Sequence, residues 1–359
     1  MTLFEETLRT ISPVSKEKEG EVRAHLDNLT KPKGSLGRLE EFALRYCLIR
    51  GETMPGEVKK RIYTFAGDHG VTEEGVSAYP REVTPQMVLN MKSGGAGINV
   101  LARHVGAEVR VVDVGVDAEF EESGILLVRK VRRGSRNMTK GPALTVEEAV
   151  RAVEVGISLA REAKEEGITI LGTGDMGIGN TTPSAALFSA LLPASPEEVT
   201  GRGTGIDDGT LARKKEVVRR ALEVNKKSVS EGPLEALAAV GGLEIAAITG
   251  LVLGGASVKI PVVIDGFIST AGALVAMRLA PEVRDYLFLS HLSAERGHAL
   301  FCEREGISPI LDLGMRLGEG TGAALAMSLI EAGVKIYREM ATFDSAGVSR
   351  GEDGDVPVA

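Results

Sequence analysis

Residues 168–192, ITILGTGDMGIGNTTPSAALFSALL, carry a complete strand–loop–helix signal. A β-branched apolar run enters a cluster of glycines, and an alanine-rich helical pattern leaves it. The same alternation recurs, with strand-like runs near 61–66, 109–116, 258–264, 286–290 and 309–313 and helical patterns at 85–104, 144–165, 211–228 and 234–253. Strands that alternate with helices predict a Rossmann-like α/β fold, with a mostly parallel sheet covered by helices on both faces.

The two ends of the chain lack strand signals. Residues 1–55 have charged helical patterns, and a final helix is predicted near 323–341. We expect the terminal segments, 1–55 with 323–345, to form a small helical domain beside a large α/β domain, 56–322. The Gly- and Asp-rich end, 346–359, is expected to be a flexible tail.

Composition excludes several classes of protein. A net charge of −8, 4% aromatic residues and no Trp argue against a nucleic-acid partner. Two cysteines cannot build a disulfide framework, so we expect a reduced, cytoplasmic protein. The start of the chain has no signal-peptide pattern, and glycines and charged residues interrupt the most apolar stretch, 245–277. No membrane span is expected.

A dinucleotide fingerprint is present in the opening stretch. Gly172, Gly174 and Gly177 satisfy G-x-G-x-x-G after a predicted strand. Such a site also needs an acidic residue at the end of the next strand, about 20 residues on. Glu197 and Glu198 stand at that distance but in a proline-broken loop, and no Walker A lysine follows the glycines. A nicotinamide-dinucleotide oxidoreductase is therefore a weaker alternative.

The start of the predicted helix suits a simpler ligand. Gly177, Gly179, Asn180, Thr181 and Thr182 would place backbone N–H groups and hydroxyls around a single phosphomonoester. A tight turn with a threonine cap explains the same residues equally well.

Polar groups also follow the other strands, in AGDHG, IDGF, SHLS and LDLG, so one site is expected at the carboxyl edge of the sheet. Asp68 and His69 would form a metal site only if His291 or His298 joined them. The stretch between these two histidines does not have a clear helical pattern, so no metal is expected.

Two further stretches have both a structural and a functional interpretation. Glu319 stands among four glycines just before an alanine-rich helix, where it either complements the helix dipole or acts as a general base. Ser77, Tyr79 and Gln86 fit the lining of a pocket for a flat heterocycle, or an ordinary loop and helix start.

Eight segments in order resemble those of one family. They are LDNLTKPKGSLGRLEEFA, AGDHGVTEEGVSAYPREVTPQMV, GDMGIGNTTPSAAL, GRGTGIDDGTLARKKEVV, VVIDGFISTAGAL, LSHLSAERGH, LDLGMRLGEGTGAALAM and EMATFDSAGVS. Over residues 26–349 the chain is similar to the nicotinate-nucleotide–dimethylbenzimidazole phosphoribosyltransferases. Eight ordered segments are far more specific than one glycine pattern.

The resemblance implies a reaction. Nicotinate mononucleotide and dimethylbenzimidazole would give α-ribazole phosphate and nicotinate, with inversion at C1′, in assembly of the nucleotide loop of cobalamin. Nicotinate leaves from a pyridinium, so neither a general acid nor a metal is needed and no cofactor is implied. The resemblance also implies a homodimer.

The resemblance assigns roles residue by residue. It implies catalytic roles for Glu319, as the base, and Asp175; phosphate binding by Gly177, Gly179, Asn180, Thr181 and Lys214; an acceptor pocket lined by Ser77, Gln86 and Met176; and nucleotide contacts by Ser293 and, more weakly, Asp265. Where the family usually has GEMGIGNTT this chain has GDMGIGNTT, so Asp175 keeps the charge but loses a methylene. We predict that Asp175→Ala lowers turnover and spares folding.

Two alternatives stay open at this point: the oxidoreductase and a non-catalytic nucleotide sensor. An intact RLGEGTG with Glu319 speaks against the sensor, which has no need of a base. The sequence leaves the preferred acceptor open among dimethylbenzimidazole, other benzimidazoles, adenine and phenolic compounds.

Overall fold

A single parallel sheet forms the centre of the molecule. The structure is a computed structural model that describes residues 1–192, 194–203 and 205–349. Within these residues the strands are β1 (Lys60–Gly67), β2 (Glu108–Gly115), β3 (Leu126–Val128), β4 (Ile170–Met176), β5 (Val262–Ile264) and β6 (Leu287–Leu289). All pair in parallel, in the order β3-β2-β1-β4-β5-β6. The predicted Rossmann-like α/β fold is confirmed.

Helices connect the strands and cover the sheet. They are α1 (Leu3–Thr10), α2 (Glu19–Asn28), α3 (Arg38–Arg50), α4 (Val83–Lys92), α5 (Gly97–Val105), α6 (Val146–Glu165), α7 (Thr181–Leu191), α8 (Pro196–Val199), α9 (Asp208–Val224), α10 (Lys226–Glu231), α11 (Pro233–Val240), α12 (Leu243–Ser257), α13 (Phe267–Leu279), α14 (Arg296–Glu305), α15 (Thr321–Glu339) and α16 (Phe343–Ala346). Short 3₁₀ turns span Gly70–Glu74 and Pro281–Tyr286. Two predicted helices, 85–104 and 234–253, are each split in two at a pair of glycines. No helix of the described ranges is long and apolar enough to cross a membrane.

One strand was missed and one strand prediction was wrong. The three-residue edge strand β3 has no clear run in the sequence, because an edge strand this short carries almost no periodic signal. The predicted strand at 309–313 does not form. Leu311 forms an isolated bridge to His291, and the N–H of Ile310 donates to the Leu289 carbonyl, so the segment continues the sheet edge as a loop.

The two faces of the sheet carry different central helices. The fully buried α12 packs on one face together with α6, and α15 packs on the other. Glycines allow α6 and α12 to approach closely. A Cβ on Gly156 would lie 2.0 Å from the Ala247 carbonyl oxygen, and one on Gly250 would lie 1.8 Å from that of Val153. The backbones therefore touch without side chains between them.

The strand order places a crevice beside β1 and β4. The chain runs from β1 to one side, through β2 and β3, and then returns to β4 on the other side. Connections diverge at this switch point, and ligands of open parallel sheets bind beyond the carboxyl ends of the strands there. The loops that follow Gly67 and Met176 occupy this position.

The terminal helices meet, as the predicted small domain requires. α3 packs on α15 closely, since a Cβ on Gly333 would lie 2.4 Å from the Leu39 carbonyl oxygen. A separate apolar cluster joins α2, α3 and Tyr337. However, α15 also packs on the sheet and α1 packs on α6 and α12, so the division into two domains stays a prediction. Most of the predicted tail, 350–359, lies outside the described residues.

Candidate active site

Two glycines of the dinucleotide fingerprint lie inside β4. A Cβ on Gly172 would lie 2.8 Å from the Met327 side chain and 2.9 Å from that of Ile62. A Cβ on Gly174 would lie 2.3 Å from the carbonyl oxygen of Glu319. These glycines let α15 and its preceding loop pack on the strand. In a dinucleotide site the glycines instead line the turn that meets the pyrophosphate.

Glu319 is held rigidly at the carboxyl edge of the sheet. Its backbone is left-handed, with φ 63°; its N–H donates to the Asp175 carbonyl and its carbonyl accepts from the Thr64 hydroxyl at 2.7 Å. Its carboxylate accepts from the Ile98 N–H at 3.0 Å, at the N-terminus of α5. Burial raises the pKa of Glu319, and the N–H groups of Ile98 and Gly97 partly oppose this. The side chain therefore complements the dipole of α5 and has the raised basicity of a general base.

Asp265 anchors the helix that follows Glu319. One carboxylate oxygen accepts from the N–H groups of Gly322 and Ala323, at 2.8 and 3.0 Å, and the other accepts from Gly320 at 3.0 Å. Burial raises the pKa of Asp265 to about 7, although these bonds oppose it. The carboxylate thus caps α15, and a direct substrate contact by Asp265 stays a prediction.

Asp175 is the next-to-last residue of β4 and is buried near other carboxylates. One oxygen accepts from the Asn180 side-chain amide at 2.9 Å, and the other is buried without a partner in the described chain. Burial, followed by the charge of Asp265 and more weakly those of Glu244 and Glu319, raises its pKa well above the ordinary value. A Cβ on Gly318 would lie 3.2 Å from both oxygens. Asp175 therefore lies near three other buried carboxylates, which favours at least partial protonation or a nearby positive charge.

Lys214 of α9 is buried beside the start of α7. Its ammonium donates to the Thr181 hydroxyl at 2.6 Å, the one acceptor that the described residues give it. Only 1% of Lys214 is exposed, and burial lowers its pKa to about 8 while Glu295 opposes the shift. A Cβ on Gly203 would lie 3.4 Å from the ammonium. An ammonium with three donors, one of them satisfied, beside a glycine loop suits a small anion.

The glycine turn before α7 brings the chain close to β1. A Cβ on Gly177 would lie 2.4 Å from the Gly67 carbonyl oxygen, and Gly179 has φ 87°. In the first turn of α7 the N–H of Thr182 already donates to the Gly179 carbonyl, and Pro183 has no N–H. The ammonium and the hydroxyl must therefore supply much of the affinity for an anion.

The predicted acceptor residues lie next to this turn. The N–H of Ile178 donates to the Thr84 hydroxyl of α4 at 3.1 Å, which ties α4 to the turn. Gln86 is exposed on α4, and half-buried Ser77 lies in the loop before it. Met176, also half-buried, ends β4. The bond from Ile178 to Thr84 places the start of α4 beside the turn, and an acceptor pocket lined by these three residues stays a prediction.

Ser293 lies in the loop between β6 and α14. It is 5% exposed; its N–H donates to His298 Nδ1 at 3.2 Å, and its hydroxyl accepts from the Glu295 N–H at 3.3 Å. Glu295 was not singled out in the sequence, yet it is buried near Lys214. The sequence signal that could have identified Glu295 was its charge within the SHLSAERGH loop.

A buried histidine–glutamate pair was also missed. His69 Nε2 and Glu244 Oε1 lie 2.7 Å apart, and a Cβ on Gly177 would lie 3.2 Å from that nitrogen. The charge of Glu244 raises the pKa of His69 against the effect of burial. Its neighbour Asp68 instead accepts from the Asp117 N–H at 2.8 Å. The sequence signal for this pair was a single glutamate, Glu244, in the largely apolar α12. Within the described ranges no cluster suited to a metal ion occurs.

Comparisons with known proteins show the family of the chain. A family model described as phosphoribosyltransferase matches residues 11–348. The nicotinate-nucleotide–dimethylbenzimidazole phosphoribosyltransferase of Geobacter sulfurreducens is 61% identical over 98% of this chain and 100% of its own, and that of Geotalea uraniireducens is 60% identical over the same shares. The crystal structure of the Thermus thermophilus enzyme of that name has a TM-score of 0.87 and 50% identity, covering 93% of this chain and 99% of its own. The chain belongs to the nicotinate-nucleotide–dimethylbenzimidazole phosphoribosyltransferase family.

Proposed function

We propose that this protein transfers the phosphoribosyl group of nicotinate mononucleotide to 5,6-dimethylbenzimidazole, giving α-ribazole 5′-phosphate and nicotinate for the nucleotide loop of cobalamin. The observation that carries the proposal is one connected set of contacts between an anion site and a buried base. Lys214 donates to Thr181, the neighbouring Asn180 donates to Asp175, and the carbonyl of Asp175 accepts from Glu319. The reaction needs the anion site and the buried base to lie within the length of one nucleotide of each other.

Glu319 is the proposed general base. One nitrogen of the benzimidazole attacks C1′ while the bond from C1′ to the nicotinate nitrogen breaks and its electron pair leaves with nicotinate. The attacking ring becomes positively charged, its second N–H becomes acidic, and the Glu319 carboxylate accepts that proton. Attack opposite the leaving group inverts C1′. Holding both rings on opposite sides of the ribose contributes to the rate through orientation.

The nucleotide is proposed to lie along the glycine turn. The Lys214 ammonium, the Thr181 hydroxyl and the segment from Gly177 to Asn180 would hold its 5′-phosphate. The Asp175 carboxylate, when ionised, would stabilise positive charge that develops on the ribose as the pyridinium leaves. Ser293 would contact the nucleotide from the loop between β6 and α14, and Asp265 would hold α15 and hence the loop that carries the base.

The two alternatives have less support. Against the oxidoreductase, Gly172 and Gly174 are used in packing α15 and its preceding loop on β4. Against the sensor, the buried Glu319 carries a raised pKa and a fixed backbone, features that nucleotide binding alone does not require. Binding of the mononucleotide without turnover would favour the sensor.

A direct assay tests the function. Purified protein is mixed with nicotinate mononucleotide and dimethylbenzimidazole without added metal, and free nicotinate and ribazole phosphate are followed by chromatography. Formation of both products in equal amounts by the wild type supports the transfer. Parallel reactions with adenine, other benzimidazoles and phenols rank the acceptors. No product from any acceptor, with the mononucleotide still bound, would contradict the proposal.

We further propose that the protein is a cytoplasmic homodimer. The two cysteines are free and buried thiols, which fits a reducing compartment. Leu313 and Leu317, in the segment before the base, are 59% and 61% exposed and offer a second subunit two apolar side chains to cover. Light scattering should give twice the chain mass of 37.9 kDa, and a monomer mass would overturn the dimer.

A further inference from the structure

The Ser293 loop is attached on both of its sides. On one side the N–H groups of Leu292 and Ala294 donate to the carbonyls of Leu311 and Met315, at 2.8 and 3.0 Å, in the segment that leads to Glu319. The intervening N–H, that of Ser293, donates instead to His298 Nδ1 at 3.2 Å. His298 is thus the acceptor that holds the other side of the loop.

The hydrogen bonds of His298 define one tautomer. A backbone N–H can only donate, so Nδ1 carries no proton and the neutral ring is protonated at Nε2. Nε2 lies 3.0 Å from the Thr270 hydroxyl, to which it donates. His298 is fully buried, with the His291 ring stacked at 6.4 Å and the Cys302 sulfur 3.8 Å from Nδ1. Burial, assisted by His291, lowers the pKa of His298 to about 3, so the ring is uncharged near neutral pH and the bond from the Ser293 N–H selects this tautomer.

The hydroxyl of Ser293 is directed by the same arrangement. Its oxygen accepts from the Glu295 N–H at 3.3 Å, and within the described chain its own proton has no acceptor. A hydroxyl that accepts on the protein side can donate on the other side to a phosphate or ribose oxygen. Its direction depends on the backbone of Ser293, which the bond to His298 sets.

We propose that His298 is a positioning residue for phosphoribosyl transfer, which acts by holding Ser293 against the nucleotide. This inference rests on the proposed function and adds to it a residue that touches no substrate. The ring supplies an acceptor for the Ser293 N–H, and Thr270 keeps the ring in the tautomer that can accept. Loss of this hydrogen bond should raise the KM for the nucleotide and leave the KM for the acceptor base unchanged.

Two substitutions separate positioning from packing. In His298→Asn the side-chain oxygen takes the place of Nδ1 and can still accept from Ser293, but the bond to Thr270 is lost. In His298→Gln the side-chain amide reaches Thr270 and the Ser293 N–H loses its acceptor. Each variant removes ring volume and one hydrogen bond, so their melting temperatures should fall by similar amounts.

The kinetic effects should differ. We expect the KM for nicotinate mononucleotide to stay within about threefold of the wild type in His298→Asn and to rise at least about tenfold in His298→Gln, since a buried N–H without an acceptor is costly. In a Ser293→Ala background, His298→Gln should raise that KM by less than about threefold, because the hydroxyl that it positions is gone. Equal effects of the two His298 variants, or full additivity with Ser293→Ala, would overturn the proposal.

Thr270→Val provides a variant that leaves the ring in place. Without the Thr270 hydroxyl as acceptor, the tautomer protonated at Nε2 is disfavoured. In the tautomer protonated at Nδ1, the ring cannot accept from the Ser293 N–H. The same rise in KM is expected, and a wild-type KM would contradict the role of the tautomer. Absence of nicotinate release by the wild type would count against the proposed function alone. In that case calorimetric binding of nicotinate mononucleotide to the same variants still tests His298.

Discussion

Replacing Glu319 by Gln should abolish most activity without weakening the fold. Gln has nearly the same shape, and its side-chain oxygen can keep the hydrogen bond from the Ile98 N–H, which is 3.0 Å long in the wild type. What is lost is the ability to accept a proton. A general base contributes roughly 10²–10⁴ in rate, which corresponds to about 3–5 kcal/mol of barrier, so kcat should fall by that factor.

The effect on stability follows from the sign of the pKa shift. Burial raises the pKa of Glu319 above its ordinary value of 4.5, so the folded state binds this proton more tightly than the unfolded state. Ionisation of Glu319 is therefore less favourable in the folded state, and the free energy of unfolding falls as the pH rises from about 4.5 through the folded-state pKa. Gln imitates the protonated side chain. The variant should be at least as stable as the wild type at pH 7.5, and this advantage should disappear near pH 4.

The assay combines initial rates with denaturant unfolding across pH. The wild-type kcat should fall at low pH as Glu319 is protonated. The residual kcat of the variant should not show this decrease. Glu319→Ala is a useful comparison because it leaves the buried N–H of Ile98 without an acceptor and should be less stable than Glu319→Gln. Near-wild-type kcat in Glu319→Gln would refute its role as the base, and a large loss of stability at pH 7.5 would refute the argument from burial.

Three further substitutions test the rest of the site. Lys214→Met should raise the KM for nicotinate mononucleotide at least about tenfold, as expected for a buried charge-assisted bond. Because burial lowers the pKa of Lys214 to about 8, the wild-type KM should rise as the pH passes about 8, and the variant should lack this rise; a wild-type KM that stays flat to high pH would contradict the assignment. Asp175→Ala should lower kcat and leave the melting temperature unchanged or higher, since it removes a buried carboxylate near three others; unchanged kinetics would remove Asp175 from the site. Gly174→Ala should lower both kcat and the melting temperature although Glu319 is chemically intact, because the added Cβ would lie 2.3 Å from the Glu319 carbonyl oxygen; wild-type kcat would show that the strand can shift.

Much of the fold follows from local patterns. Apolar runs of strand length between helical patterns predicted five of the six strands in the described chain, and glycines at strand ends predicted the functional edge of the sheet. The same patterns missed β3 and predicted an extra strand at 309–313, because edge pairing depends on a neighbour and not on the run itself. Gly172 and Gly174 illustrate the same limit. Their spacing imitates a dinucleotide site, whereas the chain packed against them gives them a different use.

The sequence by itself determined the α/β class and, through eight ordered motifs, the family, and it predicted the site at the carboxyl edge of the sheet. Only the tertiary structure decided how the site residues act on one another. Asp175, Asp265 and Glu319 are far apart in the chain, yet their shared burial raises the pKa of each. The pairing of His69 with Glu244 and of Ser293 with His298 likewise depends on packing. Desolvation and Coulomb interactions depend on distances in space, which a local pattern of residues does not encode.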